Sequence, residues 1–226
     1  MRVLITAGPT REPVDPVRFL GNRSSGKMGY ALAAAALEAG DEVTLVSGPV
    51  ALPPPAGARL IRVETAREMF DAVRTGIPTC DAAIFAAAVA DYRPVAAAKN
   101  KIKKSGARLV LELEPTEDIL GAARGMFGFQ GYLAGFAAET RDLEENAVEK
   151  LRRKGCDLIV ANDVSSSETG FDSDDNEVAL VTADRPPLFL PRASKVALAR
   201  EILAFIRARI DPVTAVSGGV PTAHHP

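Results

Sequence analysis

The stretch from Gly8 to Gly29 constrains this chain more than any other. An apolar run at residues 3–7 precedes it and a helical pattern at residues 27–39 follows it. The chain therefore leaves a buried strand, makes a long glycine- and proline-rich excursion, and enters a helix. Connections of this kind normally take about 2–6 residues, and longer ones are functional or disordered. This one carries Arg11, Glu12, Asp15, Arg18, Asn22 and Ser24 on a frame stiffened by Pro9, Pro13 and Pro16, which favours function. At its far end Ser24, Ser25 and Gly26 sit where the first helical N–H groups point outward, a place suited to a phosphate or carboxylate. A plain N-cap by Ser24 or Ser25 is compatible with that use.

Two familiar motifs fail here. Residues 21–28 read G-x-x-x-x-G-K-M, but a P-loop needs a Ser or Thr hydroxyl after the lysine and a strand before the first glycine. Met28 supplies no hydroxyl, and residues 16–20 do not read as a buried strand. The dinucleotide fingerprint G-x-G-x-x-G is absent after Ala7, and the second strand ends in Val46-Ser47-Gly48 with no acid for a ribose.

Beyond the loop, strand and helix patterns alternate. Residues 42–46 and 60–63 read as short strands, with Gly40 as a helix stop between the first helix and the first of them. Thr65 and Glu68 have capping-box spacing ahead of a helix with Met69, Phe70 and Val73 on one face. Residues 81–88 are almost wholly apolar, as expected of a central strand buried on both faces. The pattern then breaks into a lysine-rich segment at 96–106, followed by an alternating strand at 108–114 that reads as part of an extra hairpin or flap. A short helix starting at Thr116, Glu117 and Asp118 is next. Then come a strand at 132–137, a helix at 142–154 with Asp142 and Glu145 at capping spacing, and a strand at 157–161. Strands at 177–182 and 188–190 and a helix from a Ser194 cap to Ile210 complete the pattern. Such alternation predicts an α/β fold, a Rossmann-like doubly wound and mostly parallel sheet, with its last two strands antiparallel at one edge. Residues 1–210 read as one domain and 211–226 as a disordered tail. Ligands in such sheets bind outside the carboxyl ends of the strands, so the loops at 8–10, 87–92, 136–140 and 162–163 should converge.

The net charge of −2 and the mixed signs point to no nucleic-acid or membrane partner, and no apolar run approaches the roughly 20 residues of a membrane span. The first residues read as running directly into a strand, so no signal peptide is expected. Cys80 and Cys156 are isolated and read as buried apolar side chains, so a cytoplasmic location is expected. His224 and His225 are the only histidines and lie in the tail, which argues against histidine catalysis or a histidine metal site. The acidic run 172–177 lacks the glycine of a calcium loop and reads as solvated loop.

What remains for chemistry is lysines, an asparagine, acids and a helix start, an inventory suited to phosphoryl or nucleotidyl transfer. Lys101 and its neighbours can meet a triphosphate or lie on a solvated flap. Lys150 and Lys154, one helical turn apart, can face the site or pair with Glu145 or Glu149. Asp91 can hold Mg²⁺ or a ribose, or simply end a strand.

Seven segments in order sharpen this. They are Ala7-Gly-Pro-Thr-Arg-Glu-Pro-Val-Asp-Pro-Val-Arg, Asn22-Arg-Ser-Ser-Gly-Lys-Met-Gly, Ala87-Ala-Val-Ala-Asp-Tyr, Lys101-Ile-Lys-Lys, Gly135-Phe-Ala-Ala-Glu-Thr, Ala161-Asn-Asp-Val and Gly170-Phe-x-Ser-x-x-Asn. With this spacing, from Arg2 to Ile210, the chain resembles the bacterial phosphopantothenoylcysteine synthetases of coenzyme A biosynthesis. The resemblance implies a ligase that joins 4′-phosphopantothenate to L-cysteine with CTP and Mg²⁺ through an acyl-cytidylate, releasing pyrophosphate and then CMP. It implies catalytic roles for Asn22, which would hold the acyl-cytidylate, and Lys101, which would contact the nucleotide phosphates. Phe85, Ala86, Ala87, Asp91, Lys101, Glu117, Asp118, Ile119, Leu120, Phe136, Lys150 and Lys154 would bind CTP. Arg18, Asn22 and Ala88 would bind the pantothenoyl part, and Mg²⁺ would sit with the nucleotide near Asp91. A homodimer is implied, each site completed by a partner subunit with help from the 108–114 flap.

Thr116-Glu117-Asp118-Ile119 departs from the family's more usual Asn-Pro-Asp-Ile. Bacterial members are commonly fused behind a flavin-dependent decarboxylase, and nothing here resembles that half, so no flavin is expected and the chain reads as a stand-alone enzyme or an excised domain. The rival readings are an NAD(P)-dependent oxidoreductase, which Ala96 in place of a lysine four residues after Tyr92 disfavours, and a non-catalytic nucleotide-binding module.

Overall fold

The computed structural model describes residues 1–106, 108–139, 142–163 and 173–211, without the side chains of Glu139 and Asp163. Within them the predicted alternation builds one twisted sheet. Its strands are β1 (Arg2–Ala7), β4 (Glu42–Ser47), β5 (Arg59–Arg62), β6 (Ala82–Phe85), β9 (Tyr132–Glu139), β10 (Leu158–Asp163), β11 (Asp175–Val181) and β12 (Leu188–Ser194). The order is β12-β11-β10-β9-β6-β1-β4-β5. The strands from β10 to β5 pair in parallel, and β11 and β12 are antiparallel at one edge. From β1 the chain winds first toward β4 and β5, then returns to β6 on the other side. The β1–β6 boundary is therefore the point where strand order reverses, and ligands bind at such points.

Period-two alternation decides which face each residue serves. On β1, Val3, Ile5 and Ala7 join one core cluster and Leu4 joins the other. The first cluster is covered by α1 (Lys27–Glu38) and α5 (Lys195–Ile210). The second is covered by α2 (Ala66–Gly76), α3 (Ile119–Gly125) and α4 (Leu143–Lys154). α1 approaches β1 closely because Gly29 has no side chain: a Cβ there would lie 2.5 Å from Ala7 Cβ.

Several local expectations change. The first loop is not irregular throughout: Arg11–Pro13 (β2) and Phe19–Gly21 (β3) pair as a small antiparallel hairpin. Neither Ser24 nor Ser25 caps α1. The cap is Gly26 in the left-handed region (φ +77°), with no side-chain bond to the helix. Thr65 and Glu68 do form the capping box of α2, but Asp142, also left-handed (φ +49°), makes no side-chain cap on α4. α3 begins at Ile119, later than the expected start at Thr116, and Asp118 caps it by accepting from Gly121 N at 3.0 Å.

The flap exists in reduced form. Tyr92–Pro94 (β7) and Leu113–Pro115 (β8) make a two-stranded ribbon outside the main sheet. The strand expected at 108–114 pairs only at its end, and Leu109, Val110 and Leu111 stand exposed without a neighbouring strand among the described residues. The acidic run is not simply solvated loop, since its second half begins β11 and buries Asn176. Thr140, residues 164–172 and the tail at 212–226 lie outside the described residues.

Candidate active site

The site is built at the carboxyl ends of β1 and β6. After β1 the chain turns at Gly8 (φ +75°) and lies against the segment that leaves β6. Ala88 N donates to Gly8 O at 2.9 Å, Thr10 N donates to Ala88 O at 3.2 Å, and the Thr10 hydroxyl accepts from Ala90 N at 2.9 Å. Gly48 admits this path from below, because a Cβ there would lie 1.8 Å from Pro9 O. These bonds hold residues 86–91 in place as one wall of a cleft of about 690 Å³.

The cleft gathers most of the residues expected. Asn22 and the α1 start lie at one end, and Phe85, Ala86, Ala87, Ala88 and Asp91 form the wall after β6. Glu117, Asp118, Ile119 and Leu120 enter from the α3 start, Phe136 from β9, and Lys150 and Lys154 from α4. Arg18 and Lys101 do not line it. Both sit on the neighbouring arm formed by the first-loop hairpin and the lysine-rich segment, where Arg18 Nη2 donates to Ile102 O at 2.6 Å. Of the four converging loops, 8–10 holds the 86–91 wall, while Phe136, Ala138 and Asn162 bring the two strand ends to the same cleft.

The hydrogen bonds define what each group can do. Asn22 Nδ2 donates to Val89 O at 2.9 Å and to Ala88 O at 3.3 Å, so its amide is docked on the β6 wall and a bound carbonyl would compete with those two acceptors. Lys150 Nζ reaches Phe136 O at 2.8 Å, and Lys154 forms an ion pair with Asp118. The helix-surface pairing with Glu145 or Glu149 is therefore not what these lysines show here. Burial alone would raise the Asp118 carboxyl, but Lys154 and the Gly121 N–H bring it below its ordinary value. Burial opposes ionisation of Glu117 too, and Arg93 with Arg67 outweighs it, so this carboxylate stays ionised while pinning the ribbon to α2.

Charge in the lining is one-sided. Arg23, Lys27, Lys150, Arg153, Lys154 and Lys195 face three acids, Asp91, Glu117 and Asp118. Two of those acids are already held by basic groups. The cleft also receives the start of α1, whose first N–H groups favour an anion. The arrangement suits a polyanion with an apolar or flat end against Phe85, Ile119 and Phe136. Among the described residues no three His, Cys, Asp or Glu side chains gather around a metal position. Asp91, exposed on the rim, is the one lining acid among the described residues without a basic partner, which suits a Mg²⁺ ion held mainly by ligand phosphates.

Asn162 and Asn176 lie in two of the seven segments that carry the family resemblance, whereas Lys195 lies in none of them. Asn162 and Asn176 are buried polar groups at strand ends, and Lys195 is only 7% exposed at the first position of α5. A positive side chain at a helix start is disfavoured by the helix dipole, and that misfit after the Ser194 cap was the legible signal.

A family profile described as "DNA/pantothenate metabolism flavoprotein C-terminal domain" matches residues 1–210. The coenzyme A biosynthesis bifunctional protein CoaBC of Vibrio vulnificus is 47% identical over 207 residues, covering 91% of this chain and 51% of that protein. The chain thus spans about half the length of the relative it matches. The crystal structure of the C-terminal domain of a coenzyme A biosynthesis bifunctional protein CoaBC is 45% identical, with a TM-score of 0.79 over 92% of this chain and 95% of that one. A Cab2 mutant in complex with phosphopantothenate-cysteine, 18% identical, shares the fold with a TM-score of 0.77, covering 93% of this chain and 86% of that one.

Proposed function

Because the chain belongs to the DNA/pantothenate metabolism flavoprotein C-terminal domain family, we propose that it is a phosphopantothenate–cysteine ligase using CTP, with residues 1–210 as its synthetase domain. The observation that carries this is the cationic cleft at the β1–β6 switch point, which collects Asn22, Asp91, the α1 start and the α4 lysines on one rim. The Cab2 complex supports the substrate class by shared fold.

In the first step a carboxylate oxygen of 4′-phosphopantothenate attacks the α-phosphorus of CTP. The bond from that phosphorus to the bridging oxygen breaks and pyrophosphate leaves. In the second, the neutral amine of L-cysteine attacks the acyl carbon, CMP leaves with the bond's electron pair, and the amine proton passes to solvent. Neither step needs a histidine. The demand is for fixed positive charge and alignment. Lys150, Lys154, Lys27 and the α1 N–H groups would hold the phosphates. Asn22 would trade its bond to Val89 O for the acyl carbonyl, and the 86–88 backbone would hold base or pantothenoyl groups. A bound Mg²⁺ would add charge neutralisation on the triphosphate. A flavin has no part in this chemistry.

A homodimer belongs to the proposal. Arg18 and Lys101 stand outside the cleft of their own chain, near the segment leading into the ribbon, which exposes Leu109, Val110 and Leu111. A second copy would bury that ribbon and bring the two cations to a cleft. No helix among the described residues is long and apolar enough to cross a membrane. The free thiols of Cys80 and Cys156 fit a reducing, cytoplasmic setting.

The test is pyrophosphate release with CTP against ATP, with and without cysteine. Release is expected with CTP and phosphopantothenate alone, while product requires cysteine. Lys101→Gln should lower release by at least tenfold. Asn22→Asp should keep release yet accumulate an acyl-cytidylate visible by mass spectrometry. No release from either nucleotide would leave a non-catalytic binding module as the better reading.

A further inference from the structure

Asp15 has no place in the chemistry above, yet it is among the best-bonded side chains in the molecule. It is 4% exposed, and its two oxygens receive five N–H groups. Oδ1 accepts from Val17 N at 2.8 Å and Arg18 N at 2.9 Å, which closes the turn of the first-loop hairpin. Oδ2 accepts from Arg18 Nε at 3.0 Å, Arg18 Nη2 at 2.5 Å and Ile102 N at 3.0 Å. Arg18 Nη2 continues to Ile102 O at 2.6 Å, and Ala98 N donates to Val14 O at 2.9 Å. One carboxylate thus bonds the guanidinium of Arg18 and the backbone one residue after Lys101.

We propose that Asp15 is a positioning residue that locks Arg18 and the lysine-rich segment into one arm, so that Arg18 and Lys101 reach the reacting substrates together. This rests on the ligase reading for its consequence, but not for the lock itself. The segment carries Lys99, Lys101, Lys103 and Lys104, whose mutual repulsion and solvation would otherwise favour many conformations. A buried carboxylate with charged and backbone donors gives the strong, directional bonds needed to select one. Burial would raise the Asp15 carboxyl, but the Arg18 guanidinium and the backbone donors hold it well below the ordinary carboxylate range, so the lock stays closed throughout neutral pH.

Asp15→Asn separates the two halves of the lock. Its remaining oxygen can still close the turn through Val17 and Arg18, while an amide nitrogen cannot accept from Ile102 N or the guanidinium. Three readings follow on the full chain. Tryptic cleavage after residues 99–104, followed by mass spectrometry, should speed up at least tenfold relative to wild type. The melting midpoint should stay within a few degrees. Pyrophosphate release should fall at least tenfold through a raised KM for phosphopantothenate, a lowered kcat, or both. Unchanged cleavage would overturn the lock, and faster cleavage with kcat and KM unaltered would overturn the positioning role. If Asp15→Asn does not fold, hydrogen exchange on the wild-type chain decides. The Ile102 amide should be protected at least tenfold over its neighbours in this exposed segment, and exchange at their rate would overturn the proposal. A wild-type chain that releases no pyrophosphate would sink the ligase reading, while proteolysis and exchange would still decide the lock.

Discussion

Tyr132 begins β9 with its ring against the cluster under α1 and α5, and its hydroxyl is buried with no hydrogen-bond partner among the described residues. An unpaired buried hydroxyl costs free energy that a phenyl ring does not. Tyr132→Phe should therefore be at least as stable as wild type at neutral pH, by up to about 1 kcal/mol. The same burial pushes the phenol from 10.0 up to about 12, and burial with the nearby Asp157 pushes the Cys156 thiol from 9.0 up to about 12. Both folded values lie above the unfolded ones. Their contribution is thus fully present below pH 9 and is lost as pH rises toward about 12, because the unfolded chain gives up these protons first. Melting midpoints measured from pH 8 to 11.5 should fall steadily above pH 9, and less steeply above pH 10 in Tyr132→Phe. Equal slopes in the two proteins would show that the phenol is not held neutral by the fold.

At the scale of elements, the first loop is informative because its polar residues divide their work. Glu12 is buried and accepts from Ala66 N at 2.8 Å, which ties the loop to the first turn of α2. The same helix start is closed by Thr65 and Glu68. Thr65→Ala should cost about 1 kcal/mol. Glu12→Ala should cost more, about 1–3 kcal/mol, because it strands a buried N–H and loosens the hairpin as well. Urea melts that show Glu12→Ala milder than Thr65→Ala would contradict this ordering. These roles explain which elements could be read in the sequence. The strands, the helices and the α2 capping box follow from local period and spacing, which residues a few positions apart settle among themselves. Glu12 and Asp15 looked like chemistry because their partners, Ala66 and Ile102, lie 54 and 87 residues away. No local pattern announces such pairings. The expected strand at 108–114 pairs only at its end for the converse reason: alternation shows which face is apolar, not whether a neighbour is present to pair with it. The cleft, Asn162 included, was legible through strand-end loops and family-like segments, whereas Lys195 became visible only when β10 and α5 met at one rim.

At the scale of the whole molecule, the separation of Arg18 and Lys101 from the cleft joins with the exposed ribbon to make one argument. Val110 is 85% exposed and Leu109 56%, on a backbone whose hydrogen bonds are unfilled by the main sheet. An apolar segment of this kind, leading into the open-edged ribbon, is a liability unless something covers it. A second copy offers the same ribbon, so a two-fold pairing would satisfy both edges at once. Wild-type protein is therefore expected to sediment as a dimer at micromolar concentration. Val110→Asp combined with Leu111→Asp should shift it to monomer with little change in melting midpoint, because neither side chain belongs to the two core clusters. If the arm serves the partner's cleft, that monomer should lose pyrophosphate release by at least tenfold. A monomeric wild type with full activity would require Arg18 and Lys101 to swing back to their own cleft, against the bonds that tie them to Asp15 and Val14.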